Sequence, residues 1–273
     1  MTTRMSLKDR TAVVTGAASG IGQGLAQSLA RRHCHLALVD INEAGLEQTA
    51  KMVTASGLRV SCHIMDVANT DAIAQLPEMI RSTHPGVDLL FNNAGVALSG
   101  NFDQVSESDF DWLFEINFHG MVRMTRVFLP LLKASDEARL IYTSSVFGLI
   151  GPPGQAAYAA SKFAIRGFAE VLRHELEGTS VGVSVVHPGG VATSIAENAR
   201  TSTQVSEEER EQVKATWQKM LVMPPQTAGE IIVHGVEQRS ARILVGNDAK
   251  VIDLIARLAP IKYWHIVMKL FPQ

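Results

Sequence analysis

Thr11-Ala12-Val13-Val14-Thr15-Gly16-Ala17-Ala18-Ser19-Gly20-Ile21-Gly22 is the stretch on which the fold turns. Its first five residues read as a buried strand and the next few as a tight turn; from Ile21 onward apolar residues recur at helical period. Glycine at 16, 20 and 22 lets the turn close and lets backbone N–H groups approach a pyrophosphate, with Ser19 in the loop and the positive end of a helix dipole behind it. The spacing is G-x-x-x-G-x-G, not G-x-G-x-x-G, and an ordinary strand-to-helix turn would accept the same residues. A triphosphate-binding P-loop is disfavoured, because no Gly-Lys-[Ser/Thr] closes the segment.

Outward from this unit, short aliphatic runs alternate with longer segments of helical period, the pattern of βαβ units around a parallel sheet covered on both faces. Strands are expected at Thr11–Thr15, Leu36–Asp40, Arg59–Met65, Asp88–Asn92, Arg139–Thr143, Val181–His187 and Arg242–Val245, with helices at about 21–33, 43–56, 70–83, 106–133, 156–177 and 226–238. The fold class is therefore α/β: a doubly wound, seven-stranded parallel sheet with helices on both faces, followed by a C-terminal helical tail. A chain of 273 residues needs only one such core. Residues 1–247 are expected to form the cofactor-binding catalytic domain, with a substrate lid at about 190–225, where the connection is too long for an ordinary loop. Residues 248–273 are expected to form an amphipathic helical extension.

Composition narrows the function. With 25 basic and 27 acidic residues, a net charge of −2 and no basic block, nucleic acid is not an expected partner. Cys34 and Cys62 are too few for a disulfide framework and point to a reducing, cytoplasmic setting. The first nine residues turn charged before an apolar signal region builds up, and no apolar run has the length of a spanning helix. No metal is expected, since the nine histidines show neither H-x-x-x-H nor Cys-pair spacing.

Asp40 ends the hydrophobic strand Leu36-Ala37-Leu38-Val39, 24 residues after Gly16. A carboxylate there accepts the hydroxyls of an adenosine ribose and repels a 2′-phosphate; Ser19, Ile41 and Asn42 offer no cation to such a phosphate, so NAD is favoured over NADP. The same Asp40 also suits a turn that caps the next helix. Asp66-Val67 ends the third strand, where an adenine amino group would lie, and Asn92-Asn93-Ala94-Gly95 ends the fourth.

Tyr158-Ala159-Ala160-Ser161-Lys162 lies in a helical pattern, and a spacing of four puts phenol and ammonium on one face. Free tyrosine has a pKa of about 10, so it needs a nearby cation to act as a base at neutral pH. Lys162 is placed to supply one; a half-buried Tyr beside a solvated Lys is the plain alternative. Ser144-Ser145 follows the fifth strand, and Asn117 sits among Ile116, Phe118 and Met121 in a long helix, where an amide needs a reason.

Taken in order, these motifs, together with Pro188-Gly189, Val191 and Thr193, resemble the short-chain dehydrogenase/reductase family in its single-domain, Rossmann-like form, over roughly residues 8–247. The resemblance implies Tyr158 as general acid/base, Ser145 as the hydrogen-bonding partner of the substrate oxygen, Lys162 on the nicotinamide ribose and lowering the Tyr pKa, and Asn117 holding a relay water. It also implies a cofactor on Gly16, Ser19, Gly20, Ile21, Gly22, Asp40, Ile41, Asp66, Val67, Asn93, Ala94 and Gly95, with Pro188, Gly189, Val191 and Thr193 at the nicotinamide. The expected activity is reversible hydride transfer between a secondary alcohol and NAD. Use of NADP, epimerisation or dehydration, and a non-catalytic cofactor sensor or scaffold, are the alternatives. The resemblance further implies a homo-oligomer, dimer or tetramer, pairing through the helices near 106–133 and 156–177.

The candidate substrate side, Val146, Phe147, Leu149 and Ile150 with Trp217, Met220 and Leu221, is apolar and holds no cluster of Arg or Lys, which suggests a lipophilic alcohol or ketone, with Phe147 beside Ser145 and Tyr158; ordinary core packing of these residues, and a small diol or sugar as substrate, are the alternatives. In the tail, Val251, Leu254, Ile255, Leu258, Ile261, Trp264, Val267, Met268 and Phe271 recur at helical spacing, and the last 24 residues carry a net charge of +3. Docking on its own subunit or on a partner subunit is the favoured reading, and peripheral membrane contact the alternative.

Overall fold

The computed structural model describes residues 4–54, 57–202, 205, 208, 211, 215, 217 and 219–270. In chain order the elements that build the site are β1 (Thr11–Thr15), α1 (Gly20–Ala30), β2 (His35–Asp40), α2 (Glu43–Val53), β3 (Val60–Ile64), α3 (Thr70–Arg81), β4 (Leu89–Asn92), β5 (Leu98–Ser99), α4 (Glu107–Phe114), α5 (Gly120–Ala134) and β6 (Ala138–Thr143). They continue with α6 (Ala156–Glu175), β7 (Val181–Pro188), β8 (Arg200–Thr201), α7 (Pro225–Glu237), β9 (Arg242–Val245), α8 (Asn247–Leu258) and α9 (Tyr263–Leu270).

Seven strands pair in parallel in the order β3-β2-β1-β4-β6-β7-β9. The order runs outward in one direction from β1 to β3 and in the other from β4 to β9. A crevice therefore opens at the C-terminal ends of β1 and β4, where open sheets of this kind take their ligands. Strand alternation sends Val14, Leu36 and Leu38 to one face, against Leu25, Leu29, Ile232 and Val236 of α1 and α7. Val13, Ala37 and Leu90 go to the other, against Ile73, Met124, Phe128 and Ile165 of α3, α5 and α6. Both faces are covered, which is why the strands read as nearly continuous aliphatic runs.

Every sequence-predicted strand forms, within one residue at each end. The predicted helix 106–133 forms as one continuous helical run over 107–134, in which α4 and α5 are joined through a π-helical turn at Glu115–His119 that contains Asn117. A second, two-stranded parallel sheet of β5 and β8 has no counterpart in the sequence reading, because two residues per strand carry no periodicity. The predicted lid lies partly outside the described residues. No helix among the described residues is long and apolar enough to cross a membrane.

Candidate active site

The glycine loop is built to touch backbone. Gly16 and Gly20 have φ of +68° and +52°, where side chains are disfavoured. A Cβ on Gly16 would lie 2.9 Å from the Ala94 Cα, one on Gly20 would lie 2.9 Å from Thr193 Cγ2, and one on Gly22 would lie 1.9 Å from the Gly16 carbonyl oxygen. The loop is thus held between the turn after β4 and the segment after β7. Ser19 is the N-cap of α1 in extended conformation, and its hydroxyl caps nothing, so the first N–H groups of the helix have no side-chain acceptor. An anion suits that vacancy in charge and in donor geometry. Ile21 packs partly buried against the core below.

Thr15 ties the strand ends together. Its hydroxyl donates to the Phe91 carbonyl (3.1 Å) and accepts from the Asn93 and Ala94 N–H groups (2.9 and 3.0 Å), while Asn93 Nδ2 donates to the Thr15 carbonyl (3.1 Å). Thr143 at the end of β6 donates to Asn93 Oδ1 (3.3 Å). Asp40 accepts from the Ala18 and Asn42 N–H groups, both at 3.0 Å, so its carboxylate stands beside the glycine loop. The alternative of a helix cap falls, because α2 is capped by Asn42, whose side chain accepts from the Gly45 N–H. Ile41 and Asp66 are exposed and Val67 is buried. Asp66 accepts from the Ala68 N–H at 2.8 Å. Glycine cradle, uncapped helix end and the carboxylate beside the loop together fit a dinucleotide.

On the other side of the crevice the material is side chains. β6 runs into Ser144 and Ser145. The Ser145 Oγ accepts from the Phe147 N–H (3.1 Å), capping a short turn at Val146–Gly148, and Ser144 donates to the Lys162 carbonyl (2.8 Å), seating α6 on the strand end. Tyr158 and Lys162 come one turn apart on the face of α6 toward β6. Lys162 is only 2% exposed; its Nζ donates to the Thr143 carbonyl at 3.1 Å and lies 5.5 Å from the Tyr158 ring centroid. Asn117 is fully buried: Oδ1 accepts from the Val96 N–H (2.8 Å), while Nδ2 donates to the Val96 carbonyl (3.0 Å) and to Ser161 Oγ (3.2 Å). That is the reason for an amide in mid-helix. It joins the loop after β4 to α6 from a turn whose α register is already broken.

The electrostatics differ from the sequence expectation in one sign. Burial pushes the Tyr158 phenol up to about 12, opposed by its hydrogen bond with Ser145. Burial lowers the Lys162 ammonium to about 8. Desolvation, not the lysine charge, dominates the phenol in the protein alone, and the ammonium is spent on the Thr143 carbonyl. Behind Ser145, buried His187 is pushed down to about 4 by desolvation, and its Nδ1 lies 3.0 Å from the Ser145 carbonyl. A carbonyl only accepts, so this nitrogen carries the proton of a neutral ring.

The segment after β7 closes the site and brings in a residue that sequence reasoning missed. Asp248, in the first turn of α8, accepts from the Gly190 N–H at 2.7 Å; a Cβ on Gly189 would lie 2.1 Å from its Oδ2. Pro188 ends β7, Val191 is buried and bridges to Met223, and Thr193 meets Gly20. The only trace in the sequence was Gly189-Gly190 and Gly246-x-Asp248. Phe147 packs edge-on against Tyr158 and Trp217, with centroids at 6.2 and 5.7 Å. A cavity of about 340 Å³ lies alongside, between Thr193, Ser194, Glu197, Trp217 and Leu221. Val146, Phe147 and Ile150, read from sequence as pocket lining, are buried against Ala249, Ile252 and Val267 of the tail, which docks on its own chain as favoured. Among the described residues no group of acidic, His or Cys side chains could hold a metal ion.

Residues 10–204 match the family model for short chain dehydrogenases. The chain is 38% identical to the Mycobacterium tuberculosis (strain ATCC 25618 / H37Rv) protein named "Putative oxidoreductase SadH", over 98% of each. It is 34% identical to oxidoreductase UcpA of Escherichia coli (strain K12), over 70% of this chain and 73% of that one. A solved short chain dehydrogenase/reductase from Burkholderia phymatum in complex with NAD aligns with a TM-score of 0.83 at 29% identity, over 97% of this chain and 96% of that one. A metagenomic short-chain oxidoreductase in complex with NADP aligns with a TM-score of 0.70 at 26% identity, over 88% of this chain and 98% of that one. With its Rossmann-like sheet, switch-point crevice and ordered motifs, the chain belongs to the short-chain dehydrogenase/reductase family of nicotinamide-dependent oxidoreductases.

Proposed function

We propose that this protein is an NAD-dependent dehydrogenase or ketone reductase acting on a lipophilic secondary alcohol or the matching ketone, with Tyr158 as general acid/base. The observation that carries the reading is the convergence of Tyr158, Ser145 and Lys162 at the mouth of the crevice, braced by Asn117. Gly16, Ser19, Gly20, Ile21 and Gly22 would hold the pyrophosphate, Asp40 and Ile41 the adenosine ribose, Asp66 and Val67 the adenine. Asn93, Ala94, Gly95, Pro188, Gly189, Val191 and Thr193 would line the nicotinamide half. When bound, the nicotinamide supplies the hydride acceptor for oxidation or the donor for reduction.

The protein's own part is a proton and an orientation. Ser145 hydrogen-bonds the substrate oxygen and Tyr158 exchanges a proton with it. With the phenol near 12, the resting protein holds Tyr158 protonated at neutral pH, which is the form that donates to a ketone. Lys162 then offsets the negative charge left on the phenolate, and Asn117 holds Val96 and α6 in register. Phe147, Trp217 and Leu221 favour an apolar substrate. NAD over NADP rests on the Asp40 carboxylate beside Ala18. Two exposed apolar side chains on α6, Phe163 and Val171, support pairing of copies, and two free cysteines suit a cytoplasmic setting.

Tyr158→Phe is the test. It should bind NADH as the parent does, by nicotinamide fluorescence, while turnover on a panel of hydrophobic secondary alcohols falls about 10³-fold or more. Turnover within tenfold of the parent ends the assignment. Tighter binding of NADPH than of NADH ends the role given to Asp40.

A further inference from the structure

The tail has two faces, and only one is used by the fold. Ala249, Ile252 and Val267 turn inward onto Phe147, Ile150 and Ala159. On the outside, Leu254, Leu258, Ile261 and Leu270 are exposed by 57%, 77%, 90% and 57%. Val251, Leu254 and Leu258 share one face of α8 by their spacing, and Ile261 continues the row just past Pro260. Lys250, Arg257, Lys262 and Lys269 flank it, all exposed.

The acidic residues of the same segment do not balance these cations at the surface. Asp248 is turned onto the Gly190 N–H, and Asp253 is buried against Arg242, with Arg257 reaching it from the side at 3.4 Å. Among the described residues of the tail, the outer face therefore presents leucine and isoleucine beside Lys250, Lys262 and Lys269, with both carboxylates turned into the contacts above. A second copy set against it across a twofold axis would meet the same cations. An anionic surface with an apolar interior meets both halves of the pattern. We propose that the outer face of α8 and α9 is a peripheral docking surface for an anionic lipid bilayer, with Leu254, Leu258 and Ile261 entering the acyl boundary and the lysines among the headgroups.

The test is co-sedimentation of the full chain with vesicles of phosphatidylcholine alone and of phosphatidylcholine with phosphatidylglycerol. Binding should be about tenfold or more stronger to the anionic vesicles and should weaken with salt. The double variant Leu258→Glu, Ile261→Glu should lose it, while its NADH affinity and melting temperature stay at the parent values. A triple variant Lys250→Gln, Lys262→Gln, Lys269→Gln, which leaves the apolar row intact, should lose most of the anionic preference and decides the matter if the glutamate variant does not fold. Equal binding to both vesicle types, no binding to either, or variants that bind like the parent would overturn the proposal. So would a lipid-free parent that sediments as a larger assembly than a folded glutamate variant, since the face would then join copies of the chain.

Discussion

The two walls of the crevice fail in opposite ways. The wall formed by Gly16–Gly22 and Asn93–Gly95 works through absent atoms: backbone lies so close to backbone that one added carbon has nowhere to go. The wall formed by Asn117, Ser145, Tyr158 and Lys162 works through polar side chains, three buried and Tyr158 half-buried, each held by a partner. The first is intolerant of addition and the second of removal. The second also costs stability, since a buried ammonium hydrogen-bonded to one carbonyl does not recover its hydration.

Lys162→Met should separate the walls most widely. Turnover should fall about 10²–10⁴-fold, while the melting temperature at pH 7 rises, because an apolar chain of similar length replaces a desolvated cation; a lower melting temperature would contradict this account of the second wall. The sign with pH follows from the lysine's depressed value, from 10.5 to about 8. Between those values the unfolded chain holds more protons than the folded one, so Lys162 adds stability as pH rises through that window, and the variant should lack that rise.

Gly16→Ala probes the other wall. The positive φ and the 2.9 Å approach to Ala94 should weaken NADH binding about tenfold or more, read by fluorescence titration, with a smaller change in turnover at saturating cofactor. Asp248→Ala should act on the same wall from a distance, raising the NADH dissociation constant several-fold, roughly 1 kcal/mol for one lost charge-assisted bond. Asp248→Asn, which keeps an acceptor oxygen, should recover most of it. Smallest is the acid response of sites outside both walls. His84 and His187 are lowered from 6.5 to about 4 by burial, so the unfolded chain takes up more protons as pH falls from 6.5 toward 4. Melting temperature should decline over that range, and His187→Asn should flatten part of the decline.

What the sequence made legible follows from the same contrast. Strands buried on both faces announce themselves as aliphatic runs, so β1 to β9 of the large sheet could be placed within a residue. The glycine spacing and the four-residue step from Tyr158 to Lys162 are local patterns and were equally readable. Asn117 showed as an anomaly, but a π turn has no composition of its own, so the change of hydrogen-bond register inside the helix did not show. Asp248 left no trace beyond the glycines near it, because its partner is a backbone N–H 58 residues away, and backbone carries no letter. Nor could the sign of the Tyr158 shift be read, since it depends on how much water reaches the phenol and on which carbonyl the lysine ammonium chooses.

The Asp248 contact also sets a schedule. On the ribosome the glycine loop emerges with the first strand, whereas the residue that steadies Gly190 emerges only after β9, when synthesis of this stretch is almost done. A nascent chain can pack β1 to β4 early, as folding units do, and the segment after β7 can pair with Met223 and Val245, but its tie from the Gly190 N–H to a side chain comes only with α8. A chain cut before residue 248 would carry the entire glycine motif without the carboxylate that holds the Gly190 N–H.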